Sequence, residues 1–421
     1  MKRFFMISAL FVLVFAAHAQ GPLSPLGPPD ATMRTLDELE SRTPIESVPY
    51  TIDEPGSYYL TGNLYAGADG GITVEADNVT IDLMGFTLAG TDSEGVFVSS
   101  GVENTVVRNG VIEGFETGVR LEGSRNGVYE RLRVRNMTER GFLLRASGSG
   151  QLVAGNVIRD CIVANNGGDG IKLRSQSEGV VEGNRIEQSV IVRNVEHGVS
   201  MVASLNGQLL NNHMSGCTVA GNATSGGAAA RFGVQLWASA GTISGTQLRD
   251  NTLLDNATRG IYMRVSDGGH FVDTSIINNV IHDHGASGIV SLGSGAGVTS
   301  GTRVHGNVVS GSGPATGGIV FLADIVDDRE VQNTFVENNL LAGNFDRNIR
   351  MVEAVGGVVQ ANHVSGEAAQ GIHMHDTEGI VVTGNTVFGE PLTTSSDDTY
   401  GQVVESIPIP NDAWANFRLE E

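Results

Sequence analysis

The stretch that decides the fold is Gly170 to Asn194, GIKLRSQSEGVVEGNRIEQSVIVRN. Apolar Ile171 is followed by Lys172, and this alternation continues until Gly179 and then Asn184 interrupt it. Apolar and polar residues that alternate with a period of two predict β-strands, and glycine and asparagine are typical of the turns between them. The stretch therefore predicts short strands joined by tight turns, with no room for a helix.

The same pattern recurs from about residue 70 to residue 390. A glycine or asparagine before an apolar residue marks each repeat, at Gly95, Gly118, Gly141, Gly170, Gly198, Gly233, Gly260, Gly288, Gly318, Asn348 and Gly371. A second marker, asparagine two residues before an apolar residue, stands at Asn109, Asn156, Asn184, Asn212, Asn251, Asn279, Asn307, Asn339, Asn362 and Asn385. Each marker recurs roughly every 20 to 35 residues, and the two markers stay in register with each other. This repetition predicts a solenoid of about a dozen coils.

Stacked coils bring equivalent residues of successive repeats together. A side-chain amide buried at a corner needs hydrogen-bond partners, and the same asparagine in the next coil supplies one. We therefore predict that the repeated asparagines form a ladder with a structural role. The same alignment places Cys161 and Cys217 in one column with Ser189 between them. Two coil spacings are roughly 9 to 10 Å, beyond the reach of a disulfide, so both thiols are predicted to be free and buried.

The N-terminal segment differs from the repeats. Residues 1–19 place an apolar run after Lys2 and Arg3, with a small-x-small sequence at the end, which is typical of a secretory signal peptide. Proline-rich residues 20–32 predict a flexible leader. Residues 33–69 predict an N-terminal cap, with a short helix near 35–41 that covers the first coil, followed by lead-in strands.

The repeats, predicted over residues 70–390, are followed by a tail at residues 391–421. This tail holds Tyr400, Trp414 and Phe417 in a chain of only 6% aromatic content. Aromatic side chains of this kind are predicted to cover the last coil as a C-terminal cap.

The chain is acidic, with a formal net charge of −21. Such a charge disfavours binding to nucleic acid or to an anionic membrane surface. The apolar run of the signal is too short to span a membrane and no second one follows, so membrane insertion is not predicted. We expect a secreted protein, extracellular or periplasmic.

Basic and aromatic side chains gather on one predicted face. In the repeat Gly-Ile-x-Leu-x the third and fifth positions point outward, and there the candidates for binding are Arg120, Arg145, Arg174, Trp237, Tyr262 and Arg264, together with Lys172. On so acidic a chain, this cluster predicts a groove for an acidic polysaccharide. The alternative is that the basic side chains pair with neighbouring carboxylates such as Asp169 or Glu178.

Lys172 is the one lysine after the signal segment. A lysine among cations, here Arg145 and Arg174, gives up its proton more readily than an arginine does, and the neutral amine can act as a base. The hypothesis is β-elimination on a uronic acid, with Lys172 as the base and Tyr262 or Arg264 as proton donor or as a contact for a neighbouring sugar. A polysaccharide lyase is therefore favoured over a glycoside hydrolase if the protein is an enzyme.

Other candidate clusters are weaker. His282 with His284, and His373 with His375, each place two imidazoles on one strand but lack a third ligand, so no metal site is predicted from them. A set of aspartates from neighbouring coils leaves Ca²⁺ binding or a pair of glycosidase carboxylates as alternatives. These aspartates are Asp255, Asp267, Asp273 and Asp283.

The Gly-Ile-x-Leu and Asn-x-Val coils resemble the right-handed parallel β-helix proteins of the pectate-lyase-like superfamily, and more closely their carbohydrate-binding and sugar-hydrolysis repeat group. The ends, MRTLDELESRTPI, PYTIDEPGSYYLTGNL and DAWANF, resemble those of secreted bacterial β-helix proteins without assigned activity. The resemblance covers residues 33–421 and implies an all-β, right-handed parallel β-helix with a polysaccharide partner.

The resemblance does not extend to a set of catalytic residues. Of the polygalacturonase signature, only Asp327-Asp328 and a loose Ile171-Lys172 are found, and the pectate-lyase sequences are absent. The superfamily holds lyases, glycosidases, epimerases and noncatalytic adhesins. A noncatalytic surface or structural solenoid therefore stays open beside an enzyme or a binding protein for acidic polysaccharide.

Overall fold

The computed structural model describes residues 41–223, 231–313, 317–323, 331–344, 347–365 and 370–388, with strands at 392–393, 403–404 and 416–419. The chain divides into Met1–Ser41 and Arg42–Glu421, and the described strands all belong to the second unit. The predicted signal peptide, leader and capping helix fall on residues outside these ranges, as do Tyr400 and Trp414.

The described residues form strands, turns and bends, with no α-helix among them. One sheet, which we call the front sheet, has 14 strands and carries the Gly-Ile repeats. Its strands are Tyr50–Ile52, Ile72–Val74, Glu94–Val98, Thr117–Glu122, Arg140–Ala146, Ile171–Gln176, Val199–Ser204, Phe232–Ser239, Arg259–Ser266, Ile289–Gly293, Ile319–Leu322, Arg347–Val352, Gln370–His375 and Leu392–Thr393.

A second sheet of 33 strands, the back sheet, completes each coil. From Leu152 onward most coils add three short strands to it, and each strand pairs with its equivalent in the next coil. Its strands are Thr43–Ile45, Gly56–Leu60, Leu64–Tyr65, Val79–Asp82, Thr87–Ala89, Val106–Glu113, Val128–Arg135, Leu152–Ala154, Val157–Arg159, Ile162–Ala164, Val180–Glu182, Arg185–Glu187, Val190–Val192, Gln208–Leu210, His213–Ser215, Thr218–Ala220, Thr242–Ser244, Gln247–Arg249, Thr252–Leu254, His270–Val272, Ser275–Ile277, Val280–His282, Val298–Ser300, Arg303–His305, Val308–Ser310, Val331–Glu337, Leu340–Ala342, Ala354–Gln360, His363–Ser365, Glu378–Thr383, Thr386–Phe388, Val403–Val404 and Asn416–Leu419.

The pairing is parallel throughout, and its register on the front sheet is the one that the Gly-Ile repeats predict. Lys172, for example, lies between Leu143 of the preceding coil and Ser200 of the next. The coils begin earlier than predicted, because Tyr50–Ile52, assigned to the lead-in strands, already pairs with Ile72–Val74. The fold is therefore an all-β parallel solenoid.

The tail also contributes to the coils. Leu392–Thr393 pairs with Ile372 and His373 on the front sheet, and Asn416–Leu419 pairs with Thr386–Phe388 on the back sheet. Both segments lie beyond residue 390, where the repeat is no longer visible in the sequence, so strand pairing continues past the last Gly-Ile marker.

The core is a continuous interior column of apolar side chains. Leu121, Leu144, Leu173, Met201 and Leu236 occupy one position of successive front strands and are at most 1% exposed. Burying each such side chain stabilises the fold by about 1.5 to 3 kcal/mol. Because every coil repeats these positions, no single coil has a core of its own.

The predicted asparagine ladder exists, but it is two ladders in different columns. Asn156, Asn184 and Asn212 form the first, with side-chain amide to side-chain oxygen distances of 3.0 Å. The second runs from Asn251 to Asn385 through Asn279, Asn307, Asn339 and Asn362, at 2.9 to 3.0 Å. Asn109 belongs to neither, because its amide binds Asp82. The single asparagine marker in the sequence therefore includes residues from two different corners of the coil.

A third ladder was not predicted. Asn166, Asn194, Asn222 and Asn256 bond in sequence at 2.8 to 3.0 Å. His284 then takes the asparagine position, and its Nδ1 accepts a hydrogen bond from the Asn256 backbone N–H at 3.2 Å. All five side chains are buried.

The predicted cysteine column is confirmed. Cys161 donates its backbone N–H to Ser189 Oγ, and Cys217 donates its own to Asn251 Oδ1, so these residues continue the second ladder toward the N-terminus. Both thiols are free and buried. Burial raises the pKa of Cys161 to about 12 and that of Cys217 to about 11, so neither is a reactive thiolate.

Candidate functional site

The outer surface of the front sheet is built from three columns of side chains in the described coils. The predicted third and fifth repeat positions give two of them. These are Arg120, Leu143, Lys172, Ser200, Gln235 and Tyr262, and Glu122, Arg145, Arg174, Val202, Trp237 and Arg264. The third column, formed by the residue before each repeat glycine, was missed: Arg140, Asp169, His197, Phe232 and Arg259.

The missed column has a local cause. Strict alternation would turn Asp169 inward, because Ile171 points inward two residues later. A Cβ on Gly170, however, would lie 2.8 Å from Ile191 Cγ2 and 2.6 Å from the Gly198 carbonyl oxygen. The absent side chain of Gly170 thus faces the interior beside Ile171, which breaks the alternation and turns Asp169 outward. The sequence signal for this break in alternation was the glycine itself, because glycine permits the backbone of a neighbouring coil to approach closely.

A cleft of about 390 Å³ lies where these columns meet, and we call it the front cleft. Its lining includes Lys172, Arg174, Glu196, His197, Gln235 and Trp237. Of the seven candidates predicted from sequence, the structure brings Lys172, Arg174 and Trp237 into this cleft, while Arg145 and Arg264 adjoin it in the same column.

Lys172 is not surrounded by cations alone, as its proposed role as a base assumed. Its Nζ lies 2.8 Å from Oδ2 of Asp169, whose side chain is fully buried. The other oxygen of Asp169 accepts the His197 backbone N–H at 3.3 Å. Breaking an ion pair that involves a buried carboxylate is costly, so Lys172 is held at Asp169. The alternative prediction, pairing of Lys172 with Asp169, is the arrangement found.

His197 is held as a neutral ring. Its Nδ1 accepts a hydrogen bond from the Phe232 backbone N–H at 2.9 Å, so the ring proton is assigned to Nε2. Burial lowers the pKa of His197, the charge of Asp169 opposes this shift, and Lys172 and Arg231 add to it. The ring also stacks on Phe232, with centroids 5.3 Å apart. His197 can therefore donate a hydrogen bond from Nε2 but is poorly placed to accept a proton.

Arg174 carries the unbalanced charge of the front cleft. Burial and then the neighbouring charges of Arg145 and Arg140 lower the pKa of Arg174, and no described carboxylate forms an ion pair with it. Arg145 itself lies 3.9 Å from a Glu122 oxygen. The one acidic lining residue, Glu196, pairs with Arg231 at 3.5 Å. The cleft thus presents a guanidinium whose charge the surrounding described residues do not neutralise.

Trp237 forms an aromatic wall beside this charge. It lies two coils from Arg174 in the same outer column, roughly 10 Å by strand spacing. Its Nε1 donates to Ser266 Oγ at 3.2 Å, which fixes the indole, and the Arg264 guanidinium lies 5.8 Å from the ring centroid. A fixed indole with a polar edge suits a ligand that combines apolar faces with hydroxyl groups.

Tyr262 is not available to a ligand, contrary to its predicted role. It is 8% exposed and packs in an outer cluster with Phe232, Val290 and Val320. The Phe232 ring lies 4.1 Å away, and the Arg259 guanidinium lies 4.9 Å from the Tyr262 centroid. Burial raises the pKa of Tyr262. The phenol is therefore part of the packing beside the cleft.

The charge of Arg120 is already paired, so this residue does not contribute to the predicted binding face as expected. Its guanidinium binds Glu94 at 2.7 Å and Glu122 at 3.0 Å. It lies two coils from Lys172, with Leu143 between them. Because two carboxylates already balance its charge, Arg120 adds no attraction for an anion.

The described residues contain no cluster of three or more His, Cys, Asp or Glu side chains that could hold a metal ion. The pairing of His282 with His284 on one face is wrong, because His284 is buried in the third ladder and His282 binds Asp283. No helix within the described ranges has the length and apolar character to cross a membrane.

This architecture defines the class of protein. The chain belongs to the right-handed β-helix family, whose model for a right-handed β-helix region matches residues 56–243, 147–322 and 232–402. No curated protein matches the sequence. The prediction of a right-handed parallel β-helix is thereby confirmed.

Several solved structures share this fold. The Dettilon tailspike protein aligns with a TM-score of 0.57 and 13% identity, over 78% of this chain and 64% of the tailspike. An alginate lyase from Paenibacillus sp. gives 0.50 and 15%, over 67% and 98%. The A-module of a mannuronan C-5 epimerase from Azotobacter vinelandii gives 0.43 and 21%, over 79% and 91%. At these identities the similarity to the tailspike and to the lyase shows the fold alone.

Proposed function

We propose that the protein binds an acidic polysaccharide along the front sheet, outside the cytoplasm, with an anionic group of the polymer at Arg174 and a sugar ring against Trp237. The observation that carries this proposal is the unpaired guanidinium of Arg174 in a cleft that also offers an indole. The chain has a net charge of −21, yet of the two permanently basic residues that line the front cleft only Lys172 has a described carboxylate partner, and Arg174 has none. A carboxylate or sulfate on a sugar would supply that partner.

The remaining lining residues fit the same ligand. Lys172 Nζ, held by Asp169, keeps two further N–H groups, and His197 Nε2 adds a neutral donor. These donors can bind hydroxyl or carboxylate oxygens. One solved structure of the same fold is named an alginate lyase, which supports a polysaccharide as the class of ligand.

Binding without cleavage is the function that the geometry supports best. β-Elimination needs a base at the acidified carbon, whereas the Nζ of Lys172 is engaged in an ion pair with the buried Asp169 carboxylate. Tyr262, the proposed proton donor, is buried outside the cleft. A lyase with Lys172 as base is the second candidate, since Lys172 does line the cleft, and the same experiment separates the two.

The test is calorimetric titration of the protein with alginate, pectate and a glycosaminoglycan, and with a neutral glucan. Arg174→Gln should weaken binding of the anionic polymers at least 10-fold, since a hydrogen bond to a charged group contributes about 1.5 to 3 kcal/mol. The matched control is Arg249→Gln, because Arg249 is an exposed back-sheet arginine paired with Asp250. Binding of the neutral glucan alone, or equal affinity in both variants, would overturn the proposal.

Cleavage is followed in parallel by absorbance of the unsaturated product. We expect no product with any of the polymers. If product forms with the wild-type protein and is lost in Lys172→Arg, Lys172 is the base and the protein is a lyase. If product forms equally in both, another group removes the proton.

A further inference from the structure

A second cavity, of about 430 Å³, lies on the back sheet, and we call it the back pocket. It is lined by Asp273, Ser275, Gly301, Arg303, Phe335 and Glu337. Ser275, Arg303 and Phe335 are register neighbours in three successive coils. The back pocket shares no residue with the front cleft, and its size is that of an ordinary small-ligand site.

The cation of the back pocket is already neutralised. Arg303 donates to one oxygen of Glu337 from Nε at 3.0 Å and lies 2.9 Å from it through Nη2. The other Glu337 oxygen accepts from Gln360 Nε2 at 2.6 Å. These bonds fix the plane of the guanidinium and leave Nη1 of Arg303 as a donor without a described partner. Arg303 thus offers directed N–H groups without a free positive charge.

An exposed aromatic ring and a free carboxylate complete the back pocket. Phe335 is 36% exposed although it stands in a sheet, beside Arg303 in the same column. Asp273 is exposed and has no ion pair among the described residues. Gly301, with φ +68°, makes room for it, since a Cβ there would meet the Asp273 carboxylate. With two carboxylates to one guanidinium, the back pocket carries a net negative charge.

We propose that the back pocket binds a neutral sugar residue, independently of the front cleft. The Phe335 ring takes the C–H face of the sugar, whose partial positive charge suits the electron-rich face of the ring. Arg303 Nη1 donates to a hydroxyl oxygen, and Asp273 accepts from hydroxyl groups. The net negative charge disfavours uronic acids and sulfated sugars, so this site selects against the ligand proposed for the front cleft.

The test is NMR saturation transfer and titration of the whole protein with neutral oligosaccharides (gluco-, manno- and galacto-series) and with an oligouronate. Phe335→Ala should weaken the neutral sugar at least 10-fold and leave the oligouronate unaffected. The matched control is Leu340→Ala, since Leu340 is an equally exposed apolar residue of the same coil, at 41%, outside the back pocket. Asp273→Asn, which suits the positive φ at this position, should weaken the neutral sugar several-fold while keeping the fold.

Two outcomes would overturn the second site. One is that no neutral sugar binds at millimolar concentration. The other is that neutral-sugar binding survives Phe335→Ala but is lost in Arg174→Gln, which would place that sugar in the front cleft. Failure of the oligouronate to bind at all bears on the front cleft alone, because no variant of the back pocket is predicted to alter that binding.

Discussion

The buried corners of the coils and the outer face of the front sheet differ in how far the same residue recurs from one coil to the next. Along the second ladder the same residue recurs from Asn251 to Asn385, and each amide satisfies the next. Along the outer column from Glu122 to Arg264, the side chain changes from acidic to basic to apolar and aromatic, and it repeats between neighbouring coils only at Arg145 and Arg174. A corner must repeat because a buried amide needs an identical partner, whereas the outer face is free to vary. Departures from repetition are therefore informative in both places.

The largest effect is expected from a break inside a ladder. Asn279 accepts from the side chain of Asn251 and donates to the Leu248 carbonyl and to Asn307, at 2.9 to 3.0 Å. Asn279→Ala leaves several buried groups without partners, so the free energy of unfolding should fall by at least about 4 kcal/mol. Urea denaturation followed by circular dichroism measures this loss.

The control for that measurement is Gln208→Ala, which removes a similar amide from an exposed strand position. Its effect should be within about 0.5 kcal/mol. If the two variants lose similar stability, the ladders do not hold the corners together, and the contrast between corner and outer face fails.

The coils can be predicted well from the sequence because every repeat carries the same Gly-Ile marker. The front-sheet register, the apolar column through Leu173 and the placement of Cys161 and Cys217 all follow from aligning Gly-Ile markers. The ladders were predicted less well, because Asn212 and Asn251 carry the same marker and only strand pairing assigns them to different corners.

The site was predicted less completely than the fold. Outward positions could be counted from the repeat, and three of the residues counted in this way, Lys172, Arg174 and Trp237, line one cleft. Asp169 was predicted as a pairing partner but not as part of an outward column, and His197 was missed as a lining residue. In both cases the glycine that precedes the strand breaks the alternation. Whether an outward cation is paired depends on side-chain geometry, and this the repeat does not encode.

A smaller effect is expected where the third ladder departs from repetition at His284. Burial lowers the pKa of His284 to about 4, against a value near 6.5 in an unfolded chain. The hydrogen bond with the Asn256 backbone and the charge of Asp283 oppose this shift, and His282 adds to it. The unfolded state therefore binds the extra proton first, so this residue's contribution to stability is complete above pH 6.5 and is lost as the pH falls toward 4. The loss amounts to about 3 kcal/mol.

The matched variant is His284→Asn, which restores the residue found in the preceding coils of the ladder. We expect the free energy of unfolding of the variant, minus that of the wild type, to be about 3 kcal/mol larger at pH 4 than at pH 7. Urea denaturation at each pH measures this difference. Carboxylates elsewhere titrate equally in both proteins and cancel in the difference. A constant difference at both pH values would mean that His284 has the same pKa in the folded and in the unfolded protein.

The smallest of the three effects concerns the outer face, where Asp169 supplies Lys172 with a partner that Arg174 lacks. Asp169→Asn keeps an acceptor for the His197 backbone N–H but removes the charge that balances Lys172, so the free energy of unfolding should fall by about 2 kcal/mol. The freed ammonium is then a second unpaired cation in the front cleft, and the affinity for an anionic polymer should rise several-fold. Asp169→Asn combined with Lys172→Met should be more stable than the sum of the single changes predicts, because the pair is removed together. Calorimetry and denaturation on the three variants measure both quantities. The contrary outcome is that Asp169→Asn loses stability and also binds the anionic polymer more weakly. Asp169 would then contact the ligand itself, and the unpaired charge of Arg174 would not be the feature that distinguishes the front cleft from the rest of the outer face.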